Sequence, residues 1–257
     1  MQLCHCAKHD KIKKYTLYKG VNTLERIDKI IASQGKYSRS EVKTLIAKKR
    51  VTLNGEIIKS SSVKADPNTA VVVVNGEELN FKKFVYLMLN KPKGYVSATE
   101  DRDHQTVLEL VPMEFEGRDL FPAGRLDRDT TGLMIITDDG QMAHNILSPK
   151  KHVQKIYHVE LDIPVTEEMA KGFEDGIELN DGVCKEASLE ITGEKTCFVT
   201  LKEGRYHQIK RMFGCYGAKV AELHRVCMGN LKLPEDLEEG QCRELTDDEL
   251  KLLQQQL

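Results

Sequence analysis

The chain has 257 residues, of which 40% are hydrophobic and 30% are charged, and its formal net charge is −2. No apolar run approaches the ~18 residues that a membrane-spanning helix needs, so we expect no membrane segment. The first residues lack the apolar stretch of a secretory signal, and seven cysteines without a framework spacing then favour reduced thiols in the cytoplasm.

Residues 1–23 are predicted to be an N-terminal extension. Cys4, His5, Cys6 and His9 lie close enough together to suggest a metal site. They are flanked by lysines at a chain terminus, however, and a disordered extension is the more common explanation for such a stretch. We therefore predict no metal site.

The positive charge is concentrated near the start of the chain. Residues 1–59 contain 14 Lys and Arg against 5 Asp and Glu, whereas the remainder of the chain is acidic. A basic segment joined to an acidic body favours binding of a polyanion by the first part, although a solvated charged surface is an alternative.

Residues 24–66 are predicted to form two short helices and a hairpin. Isoleucines at helical spacing indicate the first helix, Ser38 and Glu41 form the capping-box pattern of the second, and Asn54 and Gly55 are typical of a tight hairpin turn. Basic residues cover the side of this unit that is predicted to be exposed, and we expect them to contact phosphates: Arg39, Lys43, Lys48, Lys49 and Arg50.

A linker and a first strand are predicted over residues 67–82, and a larger domain over residues 83–257. Apolar patterns in the larger domain predict strands at 84–89, 133–136, 153–161, 187–192, 197–202 and 219–226. Helices are predicted at 141–147, at 167–174, from Tyr206 onward and after Thr246. The corner NKPKG at residues 90–94 is predicted to be a tight turn, for which exposed lysines are at least as good an interpretation as RNA contact.

Two polar stretches carry the candidate chemistry. Residues 123–140 read AGRLDRDTTGLMIITDDG, a charged loop that leads into an apolar run of strand length, and residues 203–213 read EGRYHQIKRMF. Loops held on rigid elements often carry function. Spacing alone does not distinguish Asp127 from Asp129, Asp138 or Asp139 as the reactive carboxylate, and solvated turn residues are the alternative interpretation.

Together these stretches resemble the RsuA/RluB/RluE/RluF family of ribosomal RNA pseudouridine synthases. The resemblance rests on GRLD at residues 124–127 with TGL at 131–133, on Lys155 and Tyr157, and on GRYHQIKR at 204–211. It extends from about Leu24 to the C-terminus. Within the family, GRYHQIKRMF and AELHRVCMG look most like the members that modify small-subunit 16S rRNA.

The resemblance implies an α+β fold: a small S4-like RNA-binding domain, then a catalytic domain with a mixed, mainly antiparallel sheet and flanking helices. It implies isomerisation of uridine to pseudouridine, with Asp127 as the nucleophile on a flipped-out uridine, Lys210 as its cation and Tyr157 stacked on the uracil. Arg125 would enter the space that the nucleotide leaves. RNA contacts are expected from Arg125, Arg205, His207, Gln208 and Arg211, of which His207 and Gln208 also support the loop.

The implied partner is 16S rRNA or an assembling small subunit, and the implied target is the position equivalent to uridine 516. No cofactor is expected, because the reaction gains and loses no atoms, and the protein is expected to be a cytoplasmic monomer. The alternatives are a 23S rRNA enzyme of the same family, a non-catalytic ribosome-assembly factor, and a metal-dependent nuclease with Asp127, Asp129 and Asp138 as ligands.

Overall fold

The structure, a computed structural model, describes residues 24–67, 69–148, 151 and 153–255. The predicted extension over residues 1–23 lies outside the described residues, and so does its Cys and His cluster. The described chain forms a small domain over residues 24–79 and a large domain over residues 83–255.

The small domain contains two helices and six short strands. They are β1 (Glu25–Arg26), α1 (Ile27–Ala32), α2 (Arg39–Ala47), β2 (Val51–Leu53), β3 (Glu56–Ile57), β4 (Lys64–Ala65), β5 (Val72–Val74) and β6 (Glu77–Glu78). Strands β3, β2, β5 and β6 form one antiparallel sheet in that order, and β1 pairs with β4.

Local sequence signals account for the two helices. Ile27, Ile30 and Ile31 lie on the buried face of α1, and burial of each such side chain contributes about 1.5–3 kcal/mol. Helix α2 begins with a capping box in which the Ser38 hydroxyl accepts from the Glu41 N–H at 3.3 Å. The predicted capping box and hairpin turn are therefore both present.

The small sheet extends past residue 66. Val72, Val73 and Val74 of β5 pair with Leu53, Thr52 and Val51 of β2, and β6 pairs with β5. The sequence predicts a linker and a first strand over 67–82, whereas the structure adds two strands from this range to the small domain. The valines carry no local sign of which sheet they join, because their partners lie some 20 residues earlier in the chain.

The large domain contains the remaining elements. They are β7 (Tyr86–Lys91), two 3-10 turns (Val107–Leu110 and Met113–Phe115), β8 (Phe121–Pro122), β9 (Thr131–Thr137), α3 (Gly140–Leu147), β10 (Lys155–Leu161), α4 (Glu167–Asp175), β11 (Glu178–Leu179), β12 (Gly182–Val183), β13 (Ser188–Ile191), β14 (Thr196–Leu201), α5 (Gln208–Gly214), β15 (Val220–Met228), β16 (Leu231–Lys232), β17 (Cys242–Glu244) and α6 (Asp247–Gln254).

One large sheet organises this domain. Its strand order is β13, β14, β10, β15, β9, β7 and β17, with β16 beside β15 and β8 beside β9. Strands β9 and β15 run parallel, and the other strand pairs within the described residues are antiparallel. This confirms the predicted α+β architecture with a mixed, mainly antiparallel sheet.

The sheet is buried on both faces. Along β9, Leu133 and Ile135 pack into one apolar cluster with α3 and α6, whereas Met134 and Ile136 pack into a second cluster with α4 and α5. Every residue of β9 is buried, as expected for an apolar run without alternation. None of the helices in the described part of the chain has the length and apolar content that crossing a membrane requires.

The small domain docks on the large domain through Gln34 and Arg118. The Lys82 N–H donates to Gln34 Oε1 at 2.9 Å, and the Arg118 guanidinium donates to the Lys82 carbonyl at 3.2 Å. Arg118 also forms a buried ion pair with Asp138, with an Nε to Oδ2 distance of 2.7 Å.

Two glycines meet at the same contact. Gly35 and Gly117 have φ values of +84° and +82°. A Cβ on Gly117 would lie 2.5 Å from the Gly35 carbonyl oxygen, so the two backbones touch with no side chain between them.

Candidate active site

The loop between β8 and β9 carries Asp127. The φ of Gly124 is +108°, a conformation that favours glycine. Leu126 is buried, its N–H donates to Ser97 Oγ at 3.0 Å, and the Ser97 hydroxyl donates to the Leu126 carbonyl at 2.7 Å. Asp127 is therefore held next to an anchored residue.

Lys91, at the end of β7, lies beneath this loop and is fully buried. Its Nζ donates to the carbonyl oxygens of Asp127, Arg128 and Thr130 at 3.1, 3.2 and 2.8 Å. Burial lowers the pKa of Lys91 to about 8, although nearby carboxylates act in the opposite direction. At neutral pH an ammonium group thus fixes the carbonyls of the loop.

This role of Lys91 was not predicted from the sequence. The two interpretations of the NKPKG corner are exposed lysines and RNA contact, and the burial of Lys91 fits neither. The first interpretation fits Lys93, which is half exposed and forms an ion pair with Glu222. A buried lysine in a turn sequence has no local signal, because its carbonyl partners come from a loop more than 35 residues later.

A lysine and a histidine lie beside the Asp127 carboxylate. Lys210 Nζ is 3.4 Å from one carboxylate oxygen, and His207 Nε2 is 3.5 Å from the other. The carboxylate is 28% exposed, so it is partly withdrawn from water. The expected cation beside Asp127 is thus in place, and His207 adds a second positive partner when it is protonated.

Lys210 is shared with a second carboxylate. Its Nζ donates to both carboxylate oxygens of Asp129, at 2.6 and 2.8 Å. Burial would raise the pKa of Asp129, but the hydrogen bond and charge of Lys210 outweigh it and the pKa is lowered. Lys210 is therefore closer to Asp129 than to Asp127.

The loop before α5 is held from within. The Arg205 N–H donates to Gln208 Oε1 at 3.0 Å, and Gln208 Nε2 donates to Glu203 at 2.8 Å. Gln208 is buried, so its amide supports the loop and is not exposed for RNA contact. His207 has a left-handed backbone with φ of 46°, and its ring stacks on the exposed Tyr206 ring at a centroid distance of 3.8 Å.

A cavity of about 400 Å³ joins these groups. Tyr157, on the buried face of β10, lines it together with Asp127 and Lys210. The three candidate catalytic side chains are thus brought to one cavity although they are separated by up to 83 residues in the sequence. The cavity lining also includes Arg125, Thr130, Lys155, Arg205, His207 and Arg225.

The arginines expected to bind RNA differ in their surroundings. Arg125 is exposed at the cavity. Arg205 donates to the carbonyls of Gly182 and Val183, and Arg211 forms a bidentate pair with Asp181. Arg205 and Arg211 therefore already bind protein groups, which limits the N–H groups they offer to RNA.

The basic residues predicted on the small domain are all exposed on α2 and the turn that follows it: Arg39, Lys43, Lys48, Lys49 and Arg50. None of these five side chains forms an ion pair with another described residue. They lie on a domain separate from the cavity, so they do not belong to the same constellation as Asp127.

Two of the rival carboxylates have structural partners. Asp138 binds Arg118 and accepts from the Val85 N–H at 2.8 Å. Asp139 caps α3 by accepting from the Met142 N–H at 3.0 Å, and it also accepts from the Tyr86 hydroxyl. Among the residues that the structure describes, no group of His, Cys, Asp and Glu side chains could hold a metal ion.

Two cations of the cavity were not predicted as site residues. Lys155 precedes Tyr157 by two residues on β10, and Arg225 on the adjacent β15 pairs with Tyr157. Burial lowers the pKa of Lys155 to about 8, with a smaller contribution from the charge of Arg225. The alternation that places Tyr157 on the buried face of β10 also places Lys155 there, and this was the available signal.

Comparison with known proteins identifies both domains. Residues 85–214 match the model of the RNA pseudouridylate synthase family, and residues 25–71 match the S4 domain. A solved structure described as a pseudouridylate synthase is 42% identical, with a TM-score of 0.63, and the match covers 89% of this chain and 99% of that one.

Two relatives are similar over nearly their whole length. The uncharacterized RNA pseudouridine synthase YtzG of Bacillus subtilis is 42% identical over 89% of this chain and 98% of its own. The ribosomal small subunit pseudouridine synthase A of Escherichia coli is 42% identical over 88% of this chain and 98% of its own. The chain therefore belongs to the RNA pseudouridylate synthase family, with an S4 domain preceding the synthase domain.

Proposed function

We propose that the protein isomerises one uridine of small-subunit ribosomal RNA to pseudouridine, with Asp127 as the nucleophile. The observation that carries the proposal is the convergence of Asp127, Lys210 and Tyr157 on one cavity. A carboxylate must be ionised to act as a nucleophile, and an adjacent cation favours the ionised form.

The cavity walls suit a nucleotide that has left its helix. The face of Tyr157 stacks on the uracil, an interaction that contributes ~1–3 kcal/mol per base. Arg125, exposed at the cavity, takes the place of the extruded base, which offsets part of the unstacking cost. His207 helps to orient the Asp127 carboxylate through the oxygen that Lys210 does not contact.

The small domain supplies affinity for the RNA backbone. Its exposed basic residues on and after α2 contact phosphates, and such contacts fix position without reading sequence. The exposed guanidinium of Arg125 and the partly engaged Arg205 and Arg211 would extend this binding to the cavity.

The target proposed is 16S rRNA, free or in an assembling subunit, at the position equivalent to uridine 516. Support comes from the similarity to small-subunit enzymes over nearly their whole length. We expect the enzyme to act as a monomer in the cytoplasm.

The nucleophile is tested with Asp127→Asn. Because the amide cannot attack carbon as the carboxylate does, we expect no tritium release from rRNA labelled at C5 of uridine, with RNA binding retained. Asp129→Asn is the matched control, since it removes an exposed carboxylate from the same loop, and it should retain turnover. Full turnover by Asp127→Asn would refute the assignment.

The target is tested by pseudouridine mapping with carbodiimide and reverse transcription on rRNA from a strain that lacks the protein. We expect one missing site in 16S rRNA, restored by the wild-type gene and not by Asp127→Asn. A missing site in 23S rRNA would contradict the proposed target, and an unchanged map would indicate a non-catalytic role.

A further inference from the structure

Two buried cations adjoin the active-site cavity without an anionic partner. Lys155 and Arg225 are 9% and 2% exposed, and both contribute to the cavity lining. They lie on adjacent strands next to Tyr157. No ion pair joins either side chain to a carboxylate among the residues described by the structure.

Their hydrogen bonds leave donors unused. Lys155 Nζ donates to the Val153 carbonyl at 3.1 Å, and Arg225 Nε donates to the Leu133 carbonyl at 2.7 Å. Arg225 Nη2 is buried and has no partner within the described part of the chain, and the same holds for the Thr130 hydroxyl, which belongs to the same cavity lining.

Such an arrangement costs stability. Buried charges are normally paired, and a buried polar group without a partner lowers stability. Burial and the charge of Arg225 both lower the pKa of Lys155, so the fold itself disfavours the positive charge at this place. Unfavourable groups that persist beside an active site point to a ligand that compensates them.

We propose that Lys155 and Arg225 form a cationic floor that receives the carbonyl edge of the extruded uracil and stabilises negative charge on the ring during the reaction. The proposal rests on the proposed function. Thr130, beside this floor, would supply a hydroxyl to the same edge.

The chemistry of isomerisation requires such a group. The N1–C1′ bond breaks and its electron pair stays on the uracil, where it is delocalised onto O2 and O4. C5 of the rotated ring then uses an electron pair to bond C1′, the C5 proton is lost, and N1 takes up a proton, so the atoms balance. If the Asp127 carboxylate attacks C1′, its bond to C1′ forms as N1–C1′ breaks, and it breaks again as C5 bonds C1′. If the carboxylate attacks the ring first, charge again collects on a ring oxygen, and that charge expels the carboxylate when the ring is restored. Preorganised donors at that oxygen lower the barrier.

The first test compares Lys155→Met with wild type in single-turnover isomerisation of uridine-containing rRNA. We expect a loss of about 100-fold, as for removal of one oxyanion donor. Thermal unfolding is expected to remain cooperative, because removal of a buried charge near Arg225 offsets loss of the hydrogen bond to the Val153 carbonyl. Lys171→Met, an exposed lysine on α4, is the control for loss of a positive charge and should behave like wild type.

The second test repeats the comparison with RNA that carries 5-fluorouridine at the target. Fluorine withdraws electrons from the ring and makes it a better leaving group. Stabilisation of the ring's negative charge by Lys155 and Arg225 then contributes less to the rate. Loss of the starting nucleotide is followed in nuclease digests. We expect the effect of Lys155→Met to be at least about tenfold smaller on this RNA, whereas a purely structural defect would reduce both rates equally.

The outcomes separate the two proposals. If wild type does not isomerise uridine, the proposed function fails. If wild type is active and Lys155→Met has the wild-type rate, or loses equal factors on both RNAs, the floor is refuted. Equal losses with weakened RNA binding would indicate a phosphate contact in its place. Should Lys155→Met show no cooperative unfolding, Lys155→Gln is used with the same criteria.

Discussion

At the scale of single residues, the active site depends on how lysines are placed. Lys210 serves two carboxylates at once, which an ammonium with three N–H donors can do without the fixed geometry of a guanidinium. The Lys210 ammonium is closer to Asp129, on the exposed side of the loop, than to Asp127. The contact of Lys210 with the Asp127 carboxylate is longer, at 3.4 Å.

Outside the candidate catalytic residues, we expect substitution of Lys91 to destabilise the folded protein most. Lys91→Met would leave three carbonyls of the Asp127 loop, of which that of Thr130 is buried, without this donor. We expect the free energy of unfolding to fall by about 3 kcal/mol, since each unsatisfied buried acceptor costs about 1–3 kcal/mol. Urea unfolding measures this change, and tritium release should fall with it.

Lys93→Met is the matched control for Lys91→Met. It removes a lysine from the same turn, but one that is half exposed and forms only a surface ion pair. We expect a change within about 1 kcal/mol. Equal destabilisation by the two substitutions would contradict the role given to Lys91.

At the scale of elements, local signals were sufficient for most helices and strands. The apolar run of β9, the alternation of β10, and the cap residues Ser38 and Thr246 each identify their element from a few neighbouring residues. These patterns act within one turn or one strand, so the sequence displays them directly.

Contacts between distant elements were not predictable in this way. The parallel pairing of β9 with β15 brings Gly132 beside Arg225, where a Cβ would lie 2.3 Å from a backbone oxygen. Nothing near either residue indicates this contact. The candidate catalytic residues were found through resemblance to a family. Lys91 became recognisable only from its burial and its hydrogen bonds to the loop, and Arg225 only from its burial and its unpaired donor.

Helix α6 gives a pH-dependent prediction. Hydrogen bonds from Arg243 lower the pKa of Glu249 to about 2 against the effect of burial, with help from the Thr246 N–H. The folded pKa lies below the ordinary 4.5, so the stabilisation is complete above about pH 4.5 and is lost as the pH falls toward 2.

Glu249→Gln should therefore lower the unfolding free energy at pH 7 by about 1–2 kcal/mol after allowance for solvent screening. The difference from wild type should shrink as the pH is lowered through this range. Asp248→Asn, an exposed acid in the same helical turn, is the control and should have a smaller effect. A difference that does not depend on pH would contradict the explanation.

At the scale of the whole molecule, the contact between the two domains fixes the position of the small domain relative to the cavity. Gly117→Ala would place a methyl group against the Gly35 carbonyl and separate the domains. We expect faster proteolysis between residues 79 and 85 and a higher KM for rRNA, with a smaller change in kcat, because the cavity lies in the large domain. Gly55→Ala has a similar positive φ but meets nothing within 4 Å, so it controls for backbone strain.

The Gly35–Gly117 contact has a geometric consequence for substrate choice. With no side chain between the two backbones, we expect the domains to have little room to slide. The distance from the basic residues on and after α2 to the mouth of the cavity should then change little. The two domains would then contact a folded RNA at two places that are a fixed distance apart. We therefore expect the target uridine to be chosen by its distance from the RNA backbone that the small domain binds, because the pocket itself receives a single base.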